Sequence, residues 1–186
     1  MGKNFRENFE KLLIYIDMKI TKRKLIKLIE AALGRDVEEL EVPRYVFHGS
    51  PYEFDEFELR DHYHLDRPGV FAADNIEQAL CSLQPWNDDQ FEQGVVGEDP
   101  LYFFEKEPGL FKEVYEGKEG WLYVLEGETF EHEPQLMRTE VVSYVVPKIV
   151  KVYYIEDSLA VLRASDLLMF PYEKRKQFER YIEGDF

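Results

Sequence analysis

An α+β fold is predicted for this 186-residue chain by three observations. Apolar residues at helical spacing are concentrated at the two ends. Short runs rich in β-branched and aromatic residues fill the middle. One helical stretch interrupts those runs. Helices, then strands, then helices favour α+β over a doubly wound parallel sheet.

The elements follow in order. Residues 4–33 carry two amphipathic helices. Phe5, Phe9, Leu12, Leu13 and Ile16 fall three and four apart, and Leu25, Ile26, Ile29, Ala32 and Leu33 repeat the pattern. Thr21 is placed to cap the second helix and Gly34 to stop it, giving a helical hairpin packed on the body. Tyr45-Val46-Phe47 is a short strand broken by His48-Gly49-Ser50-Pro51, and residues 52–68 are a charged loop. Residues 69–73 form a second buried strand. Asp74 is expected to cap the helix after it, with Glu77 completing a capping-box-like pattern. Residues 84–120 are rich in Pro, Gly, Asp and Glu and read as a long loop, with one short strand at 101–104. Residues 121–125, 141–146 and 149–155 are strands by composition. Ser165 is expected to cap a last helical region that ends in the amphipathic run 172–181.

Composition narrows the function. Hydrophobic residues make up 45% of the chain and aromatics 15%, enough for a core. The formal net charge is −15, from 38 acidic and 23 basic residues. That surface repels phosphate backbones, which disfavours nucleic acid as a broad-surface partner. A single cysteine, Cys81, allows no intrachain disulfide and no multi-cysteine zinc site. No signal peptide and no apolar run of membrane-spanning length is visible. A soluble, cytoplasmic protein is the expectation.

Three clusters suit chemistry. In Tyr45-Val46-Phe47-His48-Gly49-Ser50, a His at a strand end stands beside a Gly that lets a flat ligand approach the backbone. In Gly69-Val70-Phe71-Ala72-Ala73-Asp74, small residues around one ring offer a stacking slot. In Arg138-Thr139-Glu140-Val141-Val142-Ser143, a carboxylate opens an apolar strand. Each has an ordinary alternative: a strand end, core packing, a solvated terminus. Asp61-His62-Tyr63-His64-Leu65-Asp66 has a His-x-His pattern but no third clustered ligand of equal quality, so no metal is expected.

Taken together over residues 44–156, the three clusters resemble the His-Tyr-Glu branch of ADP-ribosyltransferases, which includes the poly(ADP-ribose) polymerase catalytic domains and compact bacterial and phage relatives. The resemblance implies a split mixed or antiparallel sheet in residues 41–186, with residues 1–40 as an N-terminal helical segment and a C-terminal helix. It implies NAD as substrate, without a metal. His48 would bond a ribose hydroxyl, the Gly49 backbone would hold the nicotinamide carboxamide, and Ser50 would shape that corner. Phe71 would stack on the nicotinamide ring. Glu140 would be catalytic, bonding the nicotinamide ribose as the glycosidic bond breaks. From the residues themselves, Arg67 is a candidate for the pyrophosphate. The implied activity is transfer of ADP-ribose to a protein or small-molecule acceptor that the sequence does not name. Two departures matter. Phe71 stands where the family has Tyr, so stacking survives and a phenol hydrogen bond does not. Arg138 stands where the arginine-modifying branch has Glu, so that specificity is not expected. The rival reading is a catalytically silent acidic interaction protein or inhibitor on the same fold.

Overall fold

A computed structural model describes residues 45–61, 65–96 and 100–184. The predicted helices at 4–33, the His-x-His pair and the 1–40 boundary lie outside those residues. The rest is α+β with mainly antiparallel pairing. The strands are β1 (Tyr45–Ser50), β2 (Val70–Ala73), β3 (Phe91–Gly94), β4 (Tyr102–Glu105), β5 (Gly120–Glu126), β6 (Phe130–Glu131), β7 (Glu140–Ser143), β8 (Ile149–Ile155) and β9 (Leu168–Phe170). The helices are α1 (Ile76–Cys81), α2 (Leu110–Tyr115), α3 (Ser158–Ala164) and α4 (Arg175–Glu183).

A six-stranded sheet runs β6-β7-β2-β1-β5-β8, and a three-stranded sheet runs β3-β4-β9. Among the described strand pairs, only β4 with β9 is parallel. Side chains alternate across a strand, so β1, β2, β5 and β8 of the large sheet feed two cores. In β5, Leu122 and Val124 enter the main core with α1, α2, α3 and the small sheet, while Tyr123 and Leu125 enter a second core on the opposite face. In β4, Phe103 joins the main core and Phe104 turns outward onto Phe170, Phe178 and Tyr181, which docks α4.

Several expectations are corrected. β1 does not break at His48 but continues through Gly49 to Ser50, because β5 pairs with it along its whole length. Residues 84–120 hold more than the one short strand expected there: besides that strand, β4, they contain β3 and α2. The cap of α1 is Asn75, whose side chain accepts from the Gln78 N–H at 2.9 Å, rather than Asp74. The strand expected at 141–146 starts at Glu140 and stops at Ser143, where the buried Ser143 hydroxyl donates to the Val145 carbonyl at 2.8 Å and turns the chain. Ser165 ends α3 rather than opening the last helix. Among the described residues, no helix is long and apolar enough to cross a membrane.

Candidate functional site

The three chemical clusters fall on three neighbouring strands, β1, β2 and β7, although Glu140 is far along the chain from His48. Ala73 of β2 faces Phe47 of β1 on one side and Glu140 of β7 on the other. Phe47↔Ala73 is the one pair that joins β1 to β2, whereas β2 and β7 pair from Val70↔Ser143 to Ala73↔Glu140. Past Phe47 the β1–β2 ladder therefore stops. There the His48 imidazole crosses to β2, with Nδ1 2.7 Å from the Phe71 carbonyl.

That contact fixes the proton. A carbonyl only accepts, so Nδ1 carries the hydrogen and Nε2 is left as an acceptor in the neutral ring. The imidazole lies among Phe57, Phe54 and Tyr123, with ring centroids at 5.0, 6.0 and 6.2 Å. Burial lowers its pKa below 6.5; the Phe71 carbonyl opposes that shift and the Arg60 cation adds to it. Because the unfolded chain then binds more protons than the folded one, this stabilisation is fully present above about pH 6.5 and is lost as pH falls through the folded value. His48→Asn retains an N–H donor for Phe71 without the titration. Between about pH 7 and about pH 5, the melting temperature of wild type should fall more steeply than that of His48→Asn. Parallel curves would contradict a neutral buried His48.

Register decides which face each side chain takes. Phe47, Ala73 and Glu140 form a row on the main-core face, and Phe71, two residues from Ala73, shares it. His48 and Ser50 lie on the opposite face, with the second core. The structure thus brings His48 to the Phe71 backbone but sets its ring across the sheet from the Phe71 and Glu140 side chains. The Ser50 hydroxyl accepts from the Tyr52 N–H at 3.0 Å and turns the chain out of β1. Gly49 packs under α1. A Cβ there would stand 1.9 Å from the Ala79 carbonyl oxygen, so only Gly permits this helix–strand approach.

Glu140 closes a turn before β7. Its N–H donates to the Met137 carbonyl at 2.8 Å, and its Oε2 accepts from the Met137 N–H at 3.1 Å. The preceding Thr139 is buried and tied to α1: its carbonyl accepts from the Asp74 N–H at 3.0 Å and its hydroxyl lies 3.3 Å from Gln78 Oε1. The half-buried carboxylate is therefore held at a fixed point. Arg67 is elsewhere. It pairs with Glu131 at 3.3 Å and covers the Tyr144 ring at 3.3 Å, at the Ser143 end of β7. From Tyr144 back to Glu140 is about 13 Å at about 3.3 Å per strand residue.

Two further groups stand at the Glu140 turn, Asp74, expected from the sequence only as a helix cap, and Gln93. Asp74 stands at the end of β2, with His132 Nε2 3.9 Å from its Oδ2. Burial raises the Asp74 pKa, opposed by the Asn75 hydrogen bond, then by the His132 and Arg138 charges. Gln93 of β3 reaches the turn from the small sheet, its Nε2 3.6 Å from Met137 Sδ. The Asp74 position, where a strand passes into a helix, is visible in the sequence. Nothing in the sequence singles out Gln93. Cys81 is fully buried, its thiol pushed far up by burial, which keeps it protonated as a core residue. No family model matches the chain, and no curated protein or solved structure matches it.

Proposed function

We propose that the chain is an NAD-dependent ADP-ribosyltransferase, which cleaves the nicotinamide glycosidic bond and transfers ADP-ribose to a protein or small-molecule acceptor. The observation that supports this reading is the placement of His48, Phe71 and Glu140 on the adjacent strands β1, β2 and β7, with the His48 ring on the Phe71 backbone and the Phe71 and Glu140 side chains on the other face of the sheet.

The chemistry follows from the residues. His48 Nε2 accepts from a ribose hydroxyl. Phe71 stacks on the nicotinamide ring. The Met137 N–H holds one oxygen of Glu140 and so orients the other toward the nicotinamide ribose. As the C1′–N bond breaks, its electron pair leaves with neutral nicotinamide and positive charge grows on the sugar. A fixed carboxylate stabilises that charge without reorganising. The acceptor then bonds to C1′ and releases its proton. Arg67 serves the pyrophosphate only by leaving Glu131.

A second reading is favoured by specific contacts. Glu140 serves its own turn, Ala79 fills the space over Gly49, and three rings enclose His48. Each residue has a structural job, and with the net charge of −15 this suits a silent protein that binds a basic partner.

NAD binding tests the proposal. At one hundred times its dissociation constant, NAD adds about 2.7 kcal/mol of stability. At about 2–4 °C per kcal/mol, the melting temperature should rise by about 5–11 °C. No shift at millimolar NAD contradicts both the activity and a retained NAD pocket.

A further inference from the structure

Among the described residues at the Glu140 turn, Gln93 has a buried amide oxygen whose hydrogen bonding is left unmet. In β3, Phe91 enters the main core and Gln93, two residues on, points the same way. Glu92 points to the other side, where it accepts from the Tyr102 hydroxyl at 3.3 Å. The Gln93 Nε2 donates to Met137 Sδ, a weak acceptor. Its Oε1 is buried with no hydrogen-bond partner. Exchanging the amide O and N would set the oxygen against the sulfur and leave the NH2 unmet, so the mismatch survives either assignment. Buried polar atoms are paired almost without exception, and an unpaired one calls for a physical reason.

The reason is suggested by what Gln93 touches. Met137 is also the residue whose N–H and carbonyl hold Glu140. Two polar side chains, one from each sheet, therefore converge on a single residue of one turn. One is committed to that turn through a charge-assisted bond, and the other is nearly unspent.

We infer that Gln93 is a ligand-binding residue of the same site, presenting its carbonyl oxygen from the small sheet to a hydrogen-bond donor of the substrate. This rests on the NAD reading above. An acceptor at this point discriminates among the parts of NAD. Ribose hydroxyls, the carboxamide and the adenine amine donate hydrogen bonds; ionised phosphates only accept. Gln93 therefore selects a sugar or amide portion of the ligand and rejects the pyrophosphate.

Calorimetric titration of wild type and Gln93→Met tests this, with NAD, ADP-ribose and nicotinamide as separate probes. Met fills a similar volume and removes the unmet oxygen, so the variant should melt at or above wild type without ligand. Its affinity for NAD should fall about fivefold, the effect of one neutral hydrogen bond. The same loss should appear with whichever fragment carries the donor, ADP-ribose or nicotinamide. Equal NAD affinity in wild type and Gln93→Met overturns the inference and leaves the NAD reading standing. Failure of wild type to bind NAD overturns both. Should Gln93→Met not fold, Gln93→Asn, which withdraws the amide by one methylene, must show the loss of affinity or the inference falls.

Discussion

Glu105→Ala is expected to destabilise the protein by about 3–5 kcal/mol, lowering the melting temperature by about 6–20 °C. Glu105 ends β4 and is buried at 3% exposure. Its Oε2 accepts from the Phe111 N–H at 2.7 Å, inside the first turn of α2. Its Oε1 accepts from the Tyr172 N–H at 3.0 Å, where the chain leads toward α4, and from the Gly109 N–H at 3.4 Å. One carboxylate thus starts a helix and fastens the C-terminal segment to the small sheet. Hydrogen bonds to a charged group contribute about 1.5–3 kcal/mol each, and truncation leaves buried N–H groups without partners. Relief of the buried charge offsets part of the loss. Glu105→Gln keeps the shape but must turn an NH2 toward one of the N–H donors, so it should lose less. A fall below about 1 kcal/mol for Glu105→Ala, read by denaturant titration, would contradict this role.

Glu105 also marks where the sequence was hard to read. β3 has four residues and α2 has six, too short for a period to rise above the local composition, whereas the aromatic run of β4 gave a strand one residue out of place. The Pro, Gly and acidic residues around them have the composition of a loop, and one of those acids is the buried link itself. In contrast, β5 and β8 are seven residues long and carry apolar side chains toward two cores, so both were legible. The cap of α1 slipped by one residue because Asp74 and Asn75 are both competent caps. Asn75 holds the position through the Gln78 N–H, and the Asp74 carboxylate accepts instead from Asn75 Nδ2 at 3.0 Å. At β1, a glycine that looks like a strand break is what lets Ala79 of α1 lie against the strand.

The candidate site was legible as motifs but not as geometry. The sequence order of His48, Phe71 and Glu140 does not contain the strand order β7-β2-β1, which arises from pairing. Nor does it contain the faces. With side chains alternating at every residue, His48 parts from its neighbour Phe47, and the Phe47↔Ala73↔Glu140 row carries Glu140 to the other side. Arg67 stood close in sequence to β2 and was expected at the site. Its pairing with Glu131 and Tyr144 depends on β6 and β7 arriving beside it, which no local pattern foretells.

The most direct test of the account is the rate of nicotinamide release from NAD by wild type and by Glu140→Gln, assayed with and without a cell lysate to supply acceptors. The amide keeps the shape of the carboxylate but not its charge. Its carbonyl oxygen can still accept from the Met137 N–H, so folding should change little. If Glu140 stabilises the oxocarbenium charge, release should fall by about 10²–10³, or about 3–4 kcal/mol of barrier. NAD affinity should fall far less, because the charge acts mainly in the transition state. Release by Glu140→Gln at the wild-type rate would contradict the proposed mechanism. NAD binding without release by wild type, under every acceptor condition, would contradict the transferase reading and favour the silent protein.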